Sequence, residues 1–293
     1  MTLPSPNEID ALWDYGEPAA SEARFREWLP AAQQDATFHA CLLTQIARAQ
    51  GLQRLFAAAH ATLDAAQALL AEAKAEAHIR YLLERGRVHN SAGEKDKALP
   101  LFLLAWNTAT VTGAEFYAVD AAHMLGIATP PAEQVLWSER ALAQAEAATD
   151  PRARGWLGAL YNNLGWTYHD LEQFRHALNL FARGLRFREA QGQGPQIRVA
   201  RWTVARALRS LGRVGEALAM QEALLEEHAR AGSSDAYVEE EIGECLLAQG
   251  RLEAARPHFA RAYAALKDDP WLRDGEPARL ARMARLAEVE SAG

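Results

Sequence analysis

The chain has 293 residues, 49% of them hydrophobic and 24% charged, with a net charge of −7. Alanine alone is about a fifth of it, and Leu, Glu, Arg and Gln are abundant while Val, Ile and Thr are sparse. That balance favours helices and excludes a β-sandwich, a barrel or a doubly wound sheet. The apolar content excludes a disordered chain, and the acidic balance argues against a general nucleic-acid binder.

No window approaches the 18–20 uncharged apolar residues of a membrane span, so no membrane partner is expected. The start, MTLPSPNEID, lacks a basic and then apolar leader, so no signal peptide is expected. Two cysteines, Cys41 and Cys245, are too few and too far apart for a disulfide scaffold, and a reducing, cytoplasmic compartment is expected.

Residues 1–15 show no clear helical period. From Glu17 to Gln33 the pattern predicts a helix with Phe25, Trp28 and Leu29 on one face. Then a repeat begins. Small residues recur in pairs, 12 positions apart, at Ala47/Ala59, Gly86/Ala98, Gly126/Ser138, Gly165/Ala177, Ala205/Ala217 and Gly243/Ala255. Antiparallel helices approach closely where both lack bulk, so each pair predicts the register of a helix hairpin. Apolar residues follow in the second helices at Leu63, Phe102, Leu142, Phe181 and Phe259, with Gln221 the exception in the fifth.

Punctuation supports these units. Asp150-Pro151, Gly194-Pro195 and Ser233-Ser234-Asp235 read as helix starts. Gly93, Gly212 and Gly250 read as turns within hairpins, and Thr129-Pro130-Pro131 as a stop and restart in unit three. Pro100 and Pro257 fall two residues after a small residue, near a first helical turn where a missing N–H costs little. Pro277 to Glu290 reads as a terminal helix with Leu280, Met283 and Ala287 on one side.

The fourth unit is the clearest: Tyr161-x2-Leu164-Gly165-x2-Tyr168, then Ala177-x3-Phe181. This resembles the tetratricopeptide repeat (TPR), whose published pattern and 34-residue period it follows in all but length. Successive units here are spaced 39, 40, 39, 40 and 38 residues, which predicts longer helices and a broader groove. The resemblance implies an all-α, right-handed α-solenoid of about six TPR-like hairpins over residues 36–268. An N-terminal segment and capping helix (1–35) and a C-terminal capping helix (269–293) flank them, as a stack needs ends with a polar outer face.

TPR first helices line a concave surface that binds partner segments, at fixed offsets from the small residue. Carried onto this sequence, those offsets give Thr44, Gln45, Arg48 and Gly51; Leu83, Glu84, Arg87 and Asn90; His123, Met124 and Ile127. Further along they give Asn162, Asn163, Trp166 and His169; Trp202, Thr203, Arg206 and Arg209; and Glu240, Glu241, Glu244 and Leu247. Asparagine can pair with both groups of a peptide backbone, arginine can grip a carboxylate bidentately, and Trp and Arg dominate interface hot spots. An acidic or C-terminal peptide is the expected ligand of units one to five, and a basic end or plain solvation suits unit six.

No phosphate-binding loop, dinucleotide fingerprint, zinc-protease helix, Cys pair or nucleophile elbow occurs. The expected function is therefore a non-catalytic interaction scaffold with another protein or peptide as partner and no cofactor or metal. The alternative is a sensor whose superhelix changes curvature when a small molecule or peptide fills the groove, with unit three as the hinge. A third reading, an enzyme using His89, His123 and His169, requires convergence that residues spread over successive units do not offer.

Overall fold

The computed structural model describes residues 6–287. Helices and turns make up these residues, with no strand among them. The chain divides into two units, Met1–Leu160 and Tyr161–Gly293.

The first unit opens with α1 (Pro6–Ile9), a 3₁₀ turn (Asp10–Leu12), α2 (Pro18–Arg26) and α3 (Leu29–Ala32). The single helix expected over Glu17–Gln33 is thus broken. Pro30 explains the break: its ring would clash with the carbonyl of Arg26 and it offers no N–H, so a new helix starts around it instead. Phe25 still faces inward as expected and is fully buried, with Trp28 and Leu29 packed on the same cluster.

Three hairpins follow: α4 (Ala36–Leu52) with α5 (Phe56–Leu69), α6 (Ala75–Ser91) with α7 (Lys95–Val111), and α8 (Glu115–Ala128) with α9 (Pro131–Ala147). A 3₁₀ turn (Leu70–Glu72) joins the first two pairs, and α10 (Pro151–Gly155) follows the third. First helices α4, α6 and α8 pack side by side, while α5 packs on α6 and α7 on α8. Asp35 caps α4 by accepting from the Phe38 N–H at 2.9 Å, a contact worth about 1 kcal/mol.

The division falls inside α11 (Leu157–Asp170), which pairs with α12 (Phe174–Ala190). The second unit continues with α13 (Gly194–Ser210) and α14 (Val214–Arg230), then α15 (Ala236–Ala248) and α16 (Leu252–Leu266). Short α17 (Pro270–Gly275) leads to α18 (Pro277–Leu286), which packs on α16 and buries Leu280 and Met283. The expected extension of this helix to Glu290 lies outside the described residues. The fold is the all-α repeat of helix hairpins that the sequence predicts, and helices of 17 residues such as α7, α9, α12 and α14 account for the long period.

The physical basis of the hairpin register differs from the expected small-on-small contact. A β-carbon on Gly86 would sit 2.5 Å from the Phe102 ring, and one on Gly243 would sit 3.0 Å from Phe259. Gly165 abuts Phe181 in the same way. Glycine in the first helix therefore makes room for a phenylalanine 16 residues later. Only Gly126 meets the residue 12 positions on, Ser138 Oγ. Each of the three rings is buried, which stabilises by roughly 2–3 kcal/mol apiece.

Five of the six hairpin turns are three residues long with a left-handed middle residue: Gly93, Gly212 and Gly250 as expected, but Arg54 (φ 62°) and Glu172 (φ 58°) in the first and fourth; the third is the two-residue Thr129-Pro130 link. Pro100 and Pro257 lie deeper than expected, each the sixth residue of its helix. Each therefore forgoes a backbone bond, to the carbonyls of Asp96 and Glu253 respectively.

Candidate functional site

On the first-helix face of the first unit, two of the residues expected to hold a ligand, Gln45 and Arg48, are in contact with the chain's own N-terminal segment. Asp10, at the start of the 3₁₀ turn, places its two carboxylate oxygens 2.9 Å from Nη1 and Nη2 of Arg80 on α6. Arg152 of α10 donates to the same carboxylate at 3.1 Å. The Arg80 Nε donates to the Tyr117 hydroxyl of α8 at 2.7 Å, and that hydroxyl donates to Glu76 at 2.6 Å.

Three residues on, Trp13 Nε1 donates to Gln45 Oε1 at 2.8 Å. Trp13 stacks flat on Tyr15, with centroids 4.8 Å apart. The Arg48 guanidinium lies over both rings, at 5.8 and 5.4 Å, a geometry in which a cation is attracted to the ring faces. Burial opposes the charge on Arg80, but Tyr117 and Asp10 outweigh it and hold its pKa above the ordinary arginine value.

Beside this segment a cavity of about 390 Å³ remains, walled by Asp10 and Tyr15 on one side and by Arg48, Glu84, Phe116 and Trp156 on others. Ion pairs link the first helices beneath it. Glu84 accepts from Arg87 at 2.5 Å and from Arg48 at 3.4 Å, and Arg87 also reaches Asp120 on α8. Glu84 Oε2 and Asn90 Oδ1 are buried with no hydrogen-bond partner among the described residues. Thr44 is not a ligand-facing residue: it is fully buried and its hydroxyl donates to the Cys41 carbonyl. Leu83 and Met124 are buried, Ile127 is exposed, and His123 packs on Trp156 at 5.2 Å. Burial lowers the pKa of His123.

The second unit gathers its aromatic residues differently. Trp166 packs against Phe181, His169 and Trp202, at centroid distances of 5.2, 5.2 and 5.9 Å. Trp202 Nε1 donates to the Tyr237 carbonyl at 3.0 Å, beside a cavity of about 450 Å³ that Val199 and Tyr237 also line. Asn162 donates to Asn163, which is exposed. His169 is buried and lies 2.9 Å from Ser210 Oγ. Burial, then Arg206, lowers its pKa. Thr203 is buried and donates to the Ala200 carbonyl.

The charged groove positions of this unit are paired internally. Arg209 is bidentate to Glu241 at 2.8 and 2.9 Å, and Arg206 joins it at 3.1 Å. Glu240 accepts from Arg279 at 2.7 and 2.5 Å, and Glu244 pairs with Arg282. Of the glutamates read as suited to a basic ligand, Glu240 and Glu244 are therefore held by arginines of α18 and Glu241 by those of α13, and these α13 arginines, read as carboxylate grips, already hold a carboxylate.

The histidines His89, His123 and His169 do not converge. His89 instead meets His60 and Glu94, whose ligand atoms lie within 4.8 Å of one another. These atoms are engaged: Arg85 sits 3.0 Å from His60 Nδ1, His89 lies 2.6 Å from Glu94, and Glu94 also accepts from Lys97. Both cysteines are buried, which pushes their thiols up to about 12 and keeps them unreactive.

Residues 157–190, the α11–α12 hairpin, match the tetratricopeptide-repeat family model. The α11–α12 hairpin is therefore a tetratricopeptide repeat. No curated protein matches the sequence. Among solved structures, the TPR hairpins here resemble the apo form of RapI (TM-score 0.75, 11% identity, covering 97% of this chain and 81% of that one). They also resemble a signal-transduction ATPase with a TPR sensor from Pyrococcus horikoshii (TM-score 0.68, 12% identity, 91% and 42% covered). TPR-like repeats of a kinesin light chain from Podosopora anserina align with TM-score 0.54 at 19% identity, over 66% of this chain and 97% of that one. At these identities the likeness is one of fold.

Among the described residues no helix is long and apolar enough to cross a membrane. Sequence reasoning missed Asp10, Trp13, Tyr15, Arg80, Tyr117 and Arg152. The one available signal was the aromatic and acidic run Trp13-Asp14-Tyr15 in a stretch without helical period.

Proposed function

We propose that this TPR chain is a non-catalytic interaction module that holds an extended segment of another protein against the first-helix face of its first unit. The supporting observation is the Asp10 clamp. A segment of this very chain lies across α4 and α6, held by a bidentate carboxylate, an indole hydrogen bond and a cation over two rings. These are the contacts by which TPR-type faces would recognise a peptide, and Trp and Arg are the residues that dominate such interfaces. Fold alone does not assign a partner; the contacts built on this face support one. Gln45, Arg48, Arg87, Asn90 and His123 are the proposed contact residues in this unit. In the second, Asn162, Asn163, Trp166, His169, Trp202, Arg206, Arg209, Glu240 and Glu244 line a separate polar and aromatic face.

Selection of random 12-residue peptides on the immobilised full chain tests the proposal. Enriched peptides should bind at least tenfold more weakly to Arg48→Glu, with Trp202→Ala reporting on the second unit. Peptides that bind all three proteins equally would contradict it.

A second reading, a sensor that responds to a small molecule or short peptide, is favoured by the cavity of about 390 Å³ beside Tyr15 and Phe116. It also fits the likeness to the Pyrococcus horikoshii signal-transduction ATPase, which carries a TPR sensor. A thermal shift across a metabolite and peptide set that is abolished by Phe116→Ala would support it.

A further inference from the structure

The N-terminal segment is held in the groove by chemistry that specifies what can replace it. Arg80 is 3% exposed, and a guanidinium stays protonated at any ordinary pH. Its neighbour Arg152 brings a second positive charge to the same point. Removing the Asp10 carboxylate would take its bidentate partner from a buried cation that keeps Glu76 at 3.5 Å, and loss of such a partner is unfavourable. An occupant that displaces Asp10 restores the bidentate pair by bringing an anionic oxygen pair of its own, and the planar fork of Arg80 favours a carboxylate.

The second constraint lies one turn away. Gln45 Oε1 takes an indole N–H and Arg48 covers stacked rings, so the occupant must offer an aromatic ring with a donor three positions after its acid. Displacement is local. Ile9 and Phe25 are both fully buried in a cluster with α4 residues and stay behind, so Asp10 to Gly16 can leave with loss of the Trp13–Phe25 edge contact and of the bonds that Ser21 and Arg24 donate to the Asp14 and Leu12 carbonyls. The cavity of about 390 Å³ beside the segment gives an incoming chain a place to enter.

We propose that residues 10–16 are a resident pseudo-ligand, and that the groove takes in trans an acidic–aromatic segment of the form acid-x-x-aromatic that replaces them. The inference rests on the peptide-binding reading above and names its ligand class. A tethered competitor acts at an effective concentration in the millimolar range, so it lowers the apparent affinity for a free ligand by the fraction of time the groove is open.

The test uses a labelled synthetic peptide with the sequence of residues 8–17, EIDALWDYGE, titrated by fluorescence anisotropy into the full chain. The host is the Asp10→Asn/Trp13→Ala variant, whose folding is checked by circular dichroism; Asp10→Asn alone serves if the double variant unfolds. The peptide should bind the variant at least tenfold more tightly than wild type. A peptide carrying the Asp10→Asn change should lose at least tenfold, and Arg48→Ala added to the host should weaken binding several-fold. Absence of binding to the folded variant, equal binding to wild type, or indifference to the acid-to-amide change would each overturn the inference. Should selected peptides that depend on Arg48 lack the acid and the aromatic ring, this inference fails and the peptide-binding reading stands. Should no peptide depend on Arg48, both fail.

Discussion

Gly86 lies directly beneath the ring of Phe102, 16 residues later, so closely that a β-carbon would fall 2.5 Å from the ring edge. Gly165 with Phe181 and Gly243 with Phe259 repeat the relationship. Where the first helix carries alanine, the partner position holds a smaller side chain: Leu63 opposite Ala47 and Gln221 opposite Ala205. Apart from the third hairpin, where Gly126 precedes Leu142 and meets Ser138, the pairs thus keep a summed volume rather than a residue type.

This volume rule predicts a compensated pair. Gly165→Ala should destabilise by about 1–3 kcal/mol through overpacking, because the buried ring has nowhere to move. Combined with Phe181→Leu, which recreates the first hairpin's pair, the loss should be smaller than the sum of the single changes by about 1 kcal/mol or more. Urea midpoints of the four proteins measure the coupling; strict additivity would show that the contact does not set the register.

Gln221 gives a prediction of opposite sign. It is fully buried, and neither atom of its amide has a partner among the described residues. Gln221→Leu removes two unsatisfied polar groups and should stabilise by about 1–3 kcal/mol. A midpoint equal to or below wild type would contradict the assigned packing.

The turns offer a third. Arg54 and Glu172 occupy the left-handed region that Gly93, Gly212 and Gly250 occupy elsewhere. A side chain in that conformation costs about 1 kcal/mol relative to glycine. Glu172→Gly should therefore raise the melting temperature by a few degrees, whereas Gly212→Ala should lower it.

Stability should also fall with acid before the carboxylates titrate. Burial lowers the pKa of His39, His60, His123 and His169 below 6.5 in the folded chain. The unfolded chain then binds more protons once the pH drops below that value, so stability is complete above pH 6.5 and declines as the pH falls toward the folded values. Denaturation curves from pH 8 to 5.5 should show the decline, and His123→Gln should flatten it. An identical slope in that variant would remove His123 from the account.

The hairpins were legible in the sequence because their signals are local. Gly165, Ala177 and Phe181 sit within one 17-residue stretch, and Asp150 and Asp235 act as caps in the order expected. The break at Pro30 was legible too, and the apolar face around Phe25 and Trp28 masked it. The groove was half legible. Offsets from Ala47 and Gly86 locate Gln45, Arg48 and Arg87 on the first helices, since helical spacing determines a face. Their partners were not legible, because Asp10 meets Arg80 across 70 residues and Arg152 across 142. No periodicity in a short aperiodic segment reports a tertiary contact at that separation. The arginines accordingly read as free grips for a ligand, when Arg209 and Arg87 are joined to Glu241 and Asp120 on neighbouring helices.

Amide hydrogen exchange, followed by mass spectrometry on the wild type and on Asp10→Asn, asks whether residues 10–16 are held in a binding groove through the Asp10 clamp. In the wild type the Asp14 N–H donates to Ser21 Oγ and the Glu17 N–H to the Asp14 carbonyl, so the segment should be protected. Asp10→Asn should raise exchange over residues 10–17 at least tenfold and leave α12 through α16 unchanged. Equal protection of the segment in both proteins would contradict the clamp.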